Sequence, residues 1–532
     1  MVFNSLTFLL FVFAVILAYF VFPKKFQWIV LLLASYIFYL ISARELVIFL
    51  LFTTITTFYT GLLLGRTNDK FKQIIADSGD SITKEQKKQY AAENKKKKWT
   101  ILLITLIVNF GILAFMKYSN FLALNTNSLL SFLSVDVTLP TLNLLLPLGI
   151  SFYTFQSASY VIDVYRGKFQ PDKNIAKFAL FVSFFPQIVQ GPISRYDNLA
   201  NQLYDNHKFE YTRSKFGAQL ILWGLFKKMV IADRAAVIVN LVFNNYKDFD
   251  GITIFIAAML YTIQVYCDFS GGIDIARGVA QILGINLINN FERPLFATSI
   301  ADFWRRWHIT LSAWMRDYIF YPLSLSKSFS KLGKSSRKIL GNYLGKLFPT
   351  FLAMLITFLI VGIWHGASWK FVAYGLYNGI LIFSGILFDP LNAKIIAKTQ
   401  IRTDCFSWRF FQITLTFLLV CVGRYFSRAP SFMTALKMLK KTFSTFNPWV
   451  LMDGSLYKLG LDKHDFNLLL VVIVILVIVD IFQENGYSLR KSISQQNLVF
   501  RWLIYLAAIF AILIFGMYGI EYNNVNFIYM GF

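Results

Sequence analysis

Apolar runs about as long as a bilayer is thick recur along almost the whole chain, and that repetition restricts the fold more than any other feature. A helix needs roughly 20 residues to cross the hydrocarbon core. Lipid offers no hydrogen bonds, so only helices and closed barrels can span it. Barrel strands read as short segments of alternating polarity, whereas the runs here are continuous. They predict an all-α polytopic integral membrane protein with spans near 5–22, 27–43, 46–65, 99–116, 147–165, 175–193, 216–243, 252–284, 346–364, 369–388, 407–425, 466–483 and 500–518. Composition excludes the alternatives of a soluble globule and a disordered chain: 56% of residues are hydrophobic and 15% are charged, against about 25% charged in a typical soluble domain. The first run, 6–22, lacks the basic flank and small-residue cleavage site of a removable signal and is expected to remain as a span.

The chain carries 52 Lys and Arg against 28 Asp and Glu, a formal charge of +24. In a soluble protein this excess would suggest nucleic acid. In a membrane protein, basic residues collect in cytoplasmic loops and meet anionic headgroups, so membrane lipids are the expected partner and nucleic acid is not. The polar insertion 66–98 holds ten Lys and Arg, ending in Lys95, Lys96, Lys97 and Lys98, and is assigned to the cytoplasm. Basic stretches at 394–409 and 490–501 are also placed inside, which puts the C-terminal tail, 520–532, outside. The lysine-bearing stretch 428–463 falls outside by parity and reads as an interfacial amphipathic segment. The three cysteines, Cys267, Cys405 and Cys421, lack the spacing of a disulfide framework or thiolate metal site and read as packing residues. No metal is expected. No internal repeat of the kind found in transporters is evident.

Ionisable residues at membrane depth are expensive and are usually functional. Of four histidines, His207 and His464 sit in polar stretches and read as solvated loop residues. His365 ends an apolar run and precedes Gly366-Ala367-Ser368-Trp369, a break between two hydrophobic helices. Its imidazole is either a hydrogen-bonded structural group or a general base with Gly362 and Gly366 leaving room for a substrate beside it. His308 lies in a stretch from Asp302 to Asp317 whose apolar positions follow helical spacing. That stretch is either an interfacial amphipathic helix with snorkelling arginines or a cationic helix that meets an anionic cosubstrate. Asp268 and Asp274, around Gly271-Gly272, are expected to accompany a helix kink and to bond to Arg277 or to the arginine-rich helix.

The residues Asn290-Phe291-Glu292-Arg293-Pro294, Trp304-Arg305-Arg306-Trp307-His308 and Gly362-Ile363-Trp364-His365-Gly366 together resemble the membrane-bound O-acyltransferase family. The similarity is greatest to its bacterial branch of alginate and peptidoglycan O-acetyltransferases. Leu146-Pro147-Leu148-Gly149, Phe185-Pro186-Gln187 and Gln190-Gly191-Pro192 extend the resemblance, so it covers 1–532 as a single membrane-embedded domain. The resemblance implies a ring of tilted helices around a central channel, with His365 and His308 as catalytic residues. It also implies acetyl-CoA as cosubstrate, held by Trp304, Arg305, Arg306, Asn290 and Asp317, an SGNH-hydrolase-like extracellular partner and a polysaccharide acceptor. His365 would position or deprotonate the incoming hydroxyl, and His308, with Asn290 or Asp317 nearby, would orient the donor. A second histidine common in relatives is replaced here by Asn378. The ending Phe527-x-Tyr529-x-x-Phe532 resembles the C-terminus of a small acyl-accepting membrane peptide, which implies Tyr529 as a transient acyl carrier. D-alanyl transfer to teichoic acid is the alternative within the family; a polymer or lipid transporter and a silent scaffold are the alternatives outside it.

Overall fold

The computed structural model describes Phe3, residues 5–77 and residues 83–518, and the apolar runs in them are helical. Among the described residues eight helical segments are long and apolar enough to cross a membrane, and Leu6–Val21 is a shorter apolar helix. Several of the thirteen expected spans are not single apolar helices. The stretch 175–193 breaks after Ile175–Ser183, because Pro186 follows and cannot continue the hydrogen-bond ladder. The backbone N–H of Phe185 instead donates to Ser35 Oγ at 3.1 Å. Among the described residues the only β pairing is an isolated bridge between Phe291 and Trp307.

The chain divides into two compact units, 1–218 with 276–288, and 219–275 with 289–532. In the first, Ile150–Arg166 is buried on nearly every face. Tyr160 stands at its centre, 4.5 Å from Phe178 and 4.9 Å from Tyr196 between ring centroids, and its hydroxyl accepts from the Asp172 N–H at 2.9 Å. His207, expected to be solvated, is half-buried. Its Nε2 lies 2.8 Å from the Gln202 carbonyl, and its backbone exchanges two hydrogen bonds with the Gln27 amide. The polar stretch 66–98 is helical where described: Val47–Asp77 and Lys84–Phe132 carry it, the second opened by a capping box of Thr83 and Gln86. A 49-residue helix is about 74 Å long at 1.5 Å per residue, more than twice the thickness of a bilayer core, so its lysine-rich end extends beyond the apolar segment.

In the second unit a π-helical segment, Phe226–Ala232, interrupts a helix and turns Lys227 and Lys228 inward. These two lysines supply the partners of the buried carboxylates. Lys228 Nζ lies 2.6 Å from Asp268 and 2.9 Å from Asp233. Lys227 Nζ lies 2.8 Å from Asp274 and donates to Ser270 at 2.7 Å. Lysines thus pair with both aspartates. The glycine pair does not end the helix, since Gly251–Leu283 runs on through Gly271-Gly272. Gly271 instead allows Gly224 to pass within backbone contact. The stretch 428–463 contains the helix Phe432–Ser444, which buries Ala435, Met438 and Thr442 and leaves Lys437 and Lys440 exposed, the amphipathic pattern expected of it.

A buried ion pair that loses one partner leaves an uncompensated charge, a loss worth about 3–5 kcal/mol. Lys228→Met should therefore lower the thermal unfolding midpoint of the detergent-solubilised protein sharply. A melting temperature equal to wild type would show that the Asp233–Lys228–Asp268 group contributes nothing to stability.

Candidate functional site

The stretch expected as one helix from 302 to 318 is two. Ile300–Arg306 stops at Trp307, and Ile309–Met315 starts after His308, whose φ of 46° and ψ of 54° are left-handed. A side chain in that region strains the backbone, and surrounding contacts must hold it there. Asn290 supplies them. Its carbonyl accepts from the Ile309 N–H at 3.0 Å, and its Oδ1 accepts from both the N–H and the hydroxyl of Thr310 at 2.9 Å. With Oδ1 so engaged, the amide Nδ2 faces His308 Nδ1 at 3.2 Å and donates to it. This network assigns the imidazole proton to Nε2. His308 is fully buried, and burial pushes its pKa down to about 3, so the ring is neutral at ordinary pH.

His365 is the last residue of Lys327–His365 and is 6% exposed. Three aromatic rings enclose its imidazole: Trp364 at 4.9 Å, Tyr374 edge-on at 5.7 Å and Phe371 stacked at 6.3 Å. Trp364 also meets His308 at 5.8 Å, so one indole touches both imidazoles. The return helix Trp369–Thr399 comes close because Gly362 and Gly375 face each other, where a Cβ on either would collide with the opposite backbone. Small residues at helix crossings serve the same purpose in membrane bundles generally. Phe269 closes the other side of His308, edge-on at 4.8 Å.

The remaining expected residues divide into two groups. Trp304 joins the aromatic site: it is buried and its Nε1 donates to Asn378 Oδ1 at 3.0 Å, while Asn378 Nδ2 donates to the Tyr374 carbonyl at 2.8 Å. Asn378 thus enters the site through both ends of its amide. Arg306 is held by carboxylates, 3.0 Å from Asp302 and 2.9 Å from Glu484, and Glu484 also receives Arg293 at 2.7 Å and Arg409 at 2.9 Å. Arg305 reaches Asp302 at 3.4 Å but keeps 72% of its side chain exposed. Four arginines thereby surround two carboxylates and leave the cluster cationic. Asp317 pairs with Arg316 at 2.9 Å, and Asn290 Nδ2 lies 3.2 Å from His308 Nδ1. Tyr529 lies outside the described residues.

Sequence reasoning missed Glu484 and Arg424. The signal for each was present: Glu484 is an acid at the end of the apolar helix Lys463–Glu484, and Arg424 interrupts the apolar run of Phe406–Arg428. Among the described residues no group of three or more His, Cys, Asp or Glu side chains is arranged to hold a metal ion.

Residues 96–427 match MBOAT, the membrane-bound O-acyltransferase family. The probable alginate O-acetylase AlgI of Azotobacter vinelandii is 32% identical over 92% of this chain and 87% of its own length. The peptidoglycan O-acetyltransferase of Helicobacter pylori is 32% identical over 65% of this chain and 64% of its own. The teichoic acid D-alanyltransferase of Bacillus subtilis is 29% identical over 55% of this chain and 71% of its own. The resemblance carried by the histidine motifs is therefore borne out, and with it the multi-pass membrane architecture. The chain belongs to the membrane-bound O-acyltransferase family and is an integral-membrane O-acyltransferase.

Proposed function

We propose that this protein takes acetyl groups from cytoplasmic acetyl-CoA and passes them across the bacterial cell membrane for O-acetylation of a cell-envelope or exported polysaccharide. The observation that carries the reading is the meeting of His365 and His308 on one buried indole, Trp364. Acetyl transfer in particular is supported by the relatives named as O-acetylases of alginate and peptidoglycan, one of which aligns over most of the chain. The cationic cluster of Arg293, Arg305, Arg306 and Arg409 suits a phosphate-bearing donor on the side assigned to the cytoplasm. An SGNH-hydrolase-like protein on the outer face would receive the acyl group.

In this mechanism His365 is the general base. It stands at the C-terminus of Lys327–His365, from which it would take the acceptor's proton. His308, neutral and protonated at Nε2, offers a donor to the acyl carbonyl, and Asn290 holds that tautomer. Tyr529 would carry the acyl group between this site and the outer partner, which divides one long transfer into two short ones.

Purified protein should release CoA from radiolabelled acetyl-CoA and transfer the label. Failure with acetyl-CoA but turnover of a D-alanyl thioester would move the chain to the teichoic-acid branch. His365→Ala should lower turnover by about 10²–10⁴-fold, the usual contribution of a positioned proton-transfer group, while the protein elutes from a sizing column as wild type does. Wild-type turnover in that variant would eliminate His365 as the base. Tyr529→Phe should retain acetyl-CoA binding and lose glycan acetylation in cells; normal glycan acetylation would remove the tail from the acyl path.

A further inference from the structure

Arg424 is 3% exposed, yet no carboxylate pairs with it among the described residues. Its guanidinium lies over the Trp307 ring at 4.9 Å, and Nη1 makes one long hydrogen bond, 3.5 Å, to the Tyr374 hydroxyl. Nε and Nη2 are buried without any hydrogen-bond partner among the described residues. These two N–H groups form one edge of the planar guanidinium, the edge that arginine uses to grip oxygen anions. Every other buried cation in the same unit is handled differently: Lys227 and Lys228 have carboxylates, and Arg234 has the Val230 and Phe515 carbonyls together with Asp465. A buried cation with two idle donors is expensive, and such a feature persists where it serves a ligand or a transition state.

The location names the ligand. Tyr374 is shared: its hydroxyl meets Arg424, and its ring packs edge-on against His365. Trp307, beneath the guanidinium, is the residue before His308. Resting on the acyl-transfer reading above, we propose that Arg424 is a further catalytic residue, whose Nε and Nη2 hold the oxyanion that develops on the acyl carbonyl. In the step concerned, the acceptor oxygen bonds to the acyl carbon, the carbonyl π pair moves onto its oxygen, and His365 takes the hydroxyl proton. The oxyanion then reforms the double bond, the carbon–sulfur bond breaks with its pair on sulfur, and the imidazolium returns the proton to that thiolate. Negative charge appears on the carbonyl oxygen only between these events, so the guanidinium stabilises the transition state more than the bound substrate.

Arg424→Gln, Arg424→Met and Arg424→Lys in the full-length protein test this, read with whichever acyl thioester the wild-type protein turns over. Removing an oxyanion donor costs about 10²–10³-fold in turnover. The Gln and Met variants should show that loss in kcat with the donor KM nearly unchanged, and Lys, which keeps the charge without the fork, should recover part of it. Their melting temperatures should equal or exceed that of wild type, because an unpaired buried charge has been removed. Wild-type kcat in Arg424→Gln would overturn the proposal, as would a loss confined to KM, the mark of a ground-state acidic ligand. Loss of folding in step with activity would assign the arginine to packing through Trp307. A wild-type protein that turns over no acyl thioester would instead overturn the acyl-transfer reading, and this proposal with it.

Discussion

Polar backbone groups in an apolar interior must find partners, and three of the breaks in the helical ladder show how this chain meets that requirement. After Ser183 the Phe185 N–H turns to the Ser35 hydroxyl. After His308 the N–H groups of Ile309 and Thr310 turn to Asn290, to its carbonyl and its side-chain oxygen. After His365 the chain closes a short turn in which the Phe371 N–H returns to the Ser368 carbonyl. Each break needs side chains or carbonyls that an uninterrupted helix would not. Two of the three carry the histidines, so the polar chemistry of the protein collects where the helices stop.

Aromatic packing then joins the two histidine-bearing breaks into one site. Trp364 contacts both imidazoles, Phe269 closes one side, and Tyr374 and Phe371 close the other. Rings of this size exclude water and fix orientation through their edges, which keeps the imidazoles from rotating. The glycine crossing of Gly362 and Gly375 is what lets the second helix deliver Tyr374 and Asn378 at the required distance. A methyl group at either glycine would push those side chains away from His365 and Trp304.

Charge is treated in two ways within the second unit. Around the π-helical segment, two lysines meet three aspartates, an arrangement that holds Gly251–Leu283 against its neighbour. Around Glu484, cations exceed anions, and the surplus lies on exposed guanidinium such as that of Arg305. Arg424 fits neither pattern, since it is buried like the lysines and unbalanced like the arginine cluster.

Sequence alone determined that this chain is helical and crosses membranes, because span length and continuous hydrophobicity are local properties set by bilayer thickness. It also determined the family, because the motifs that hold His308 and His365 are contiguous in the chain. It did not determine where the helices break: the spacing around 302–318 fits a single helix, and only Asn290, eighteen residues before His308, makes the interruption tolerable. Nor did it determine the charge partners. Lys228 and Asp268 are forty residues apart, and Arg306 and Glu484 are separated by 178, distances over which no periodicity carries information. The contact of Asn290 with His308, and the placement of Arg424 beside Tyr374, belong to the tertiary structure for the same reason. Ion pairs and ring contacts depend on which helix faces pack together, and that is decided only when the whole unit closes around its interior.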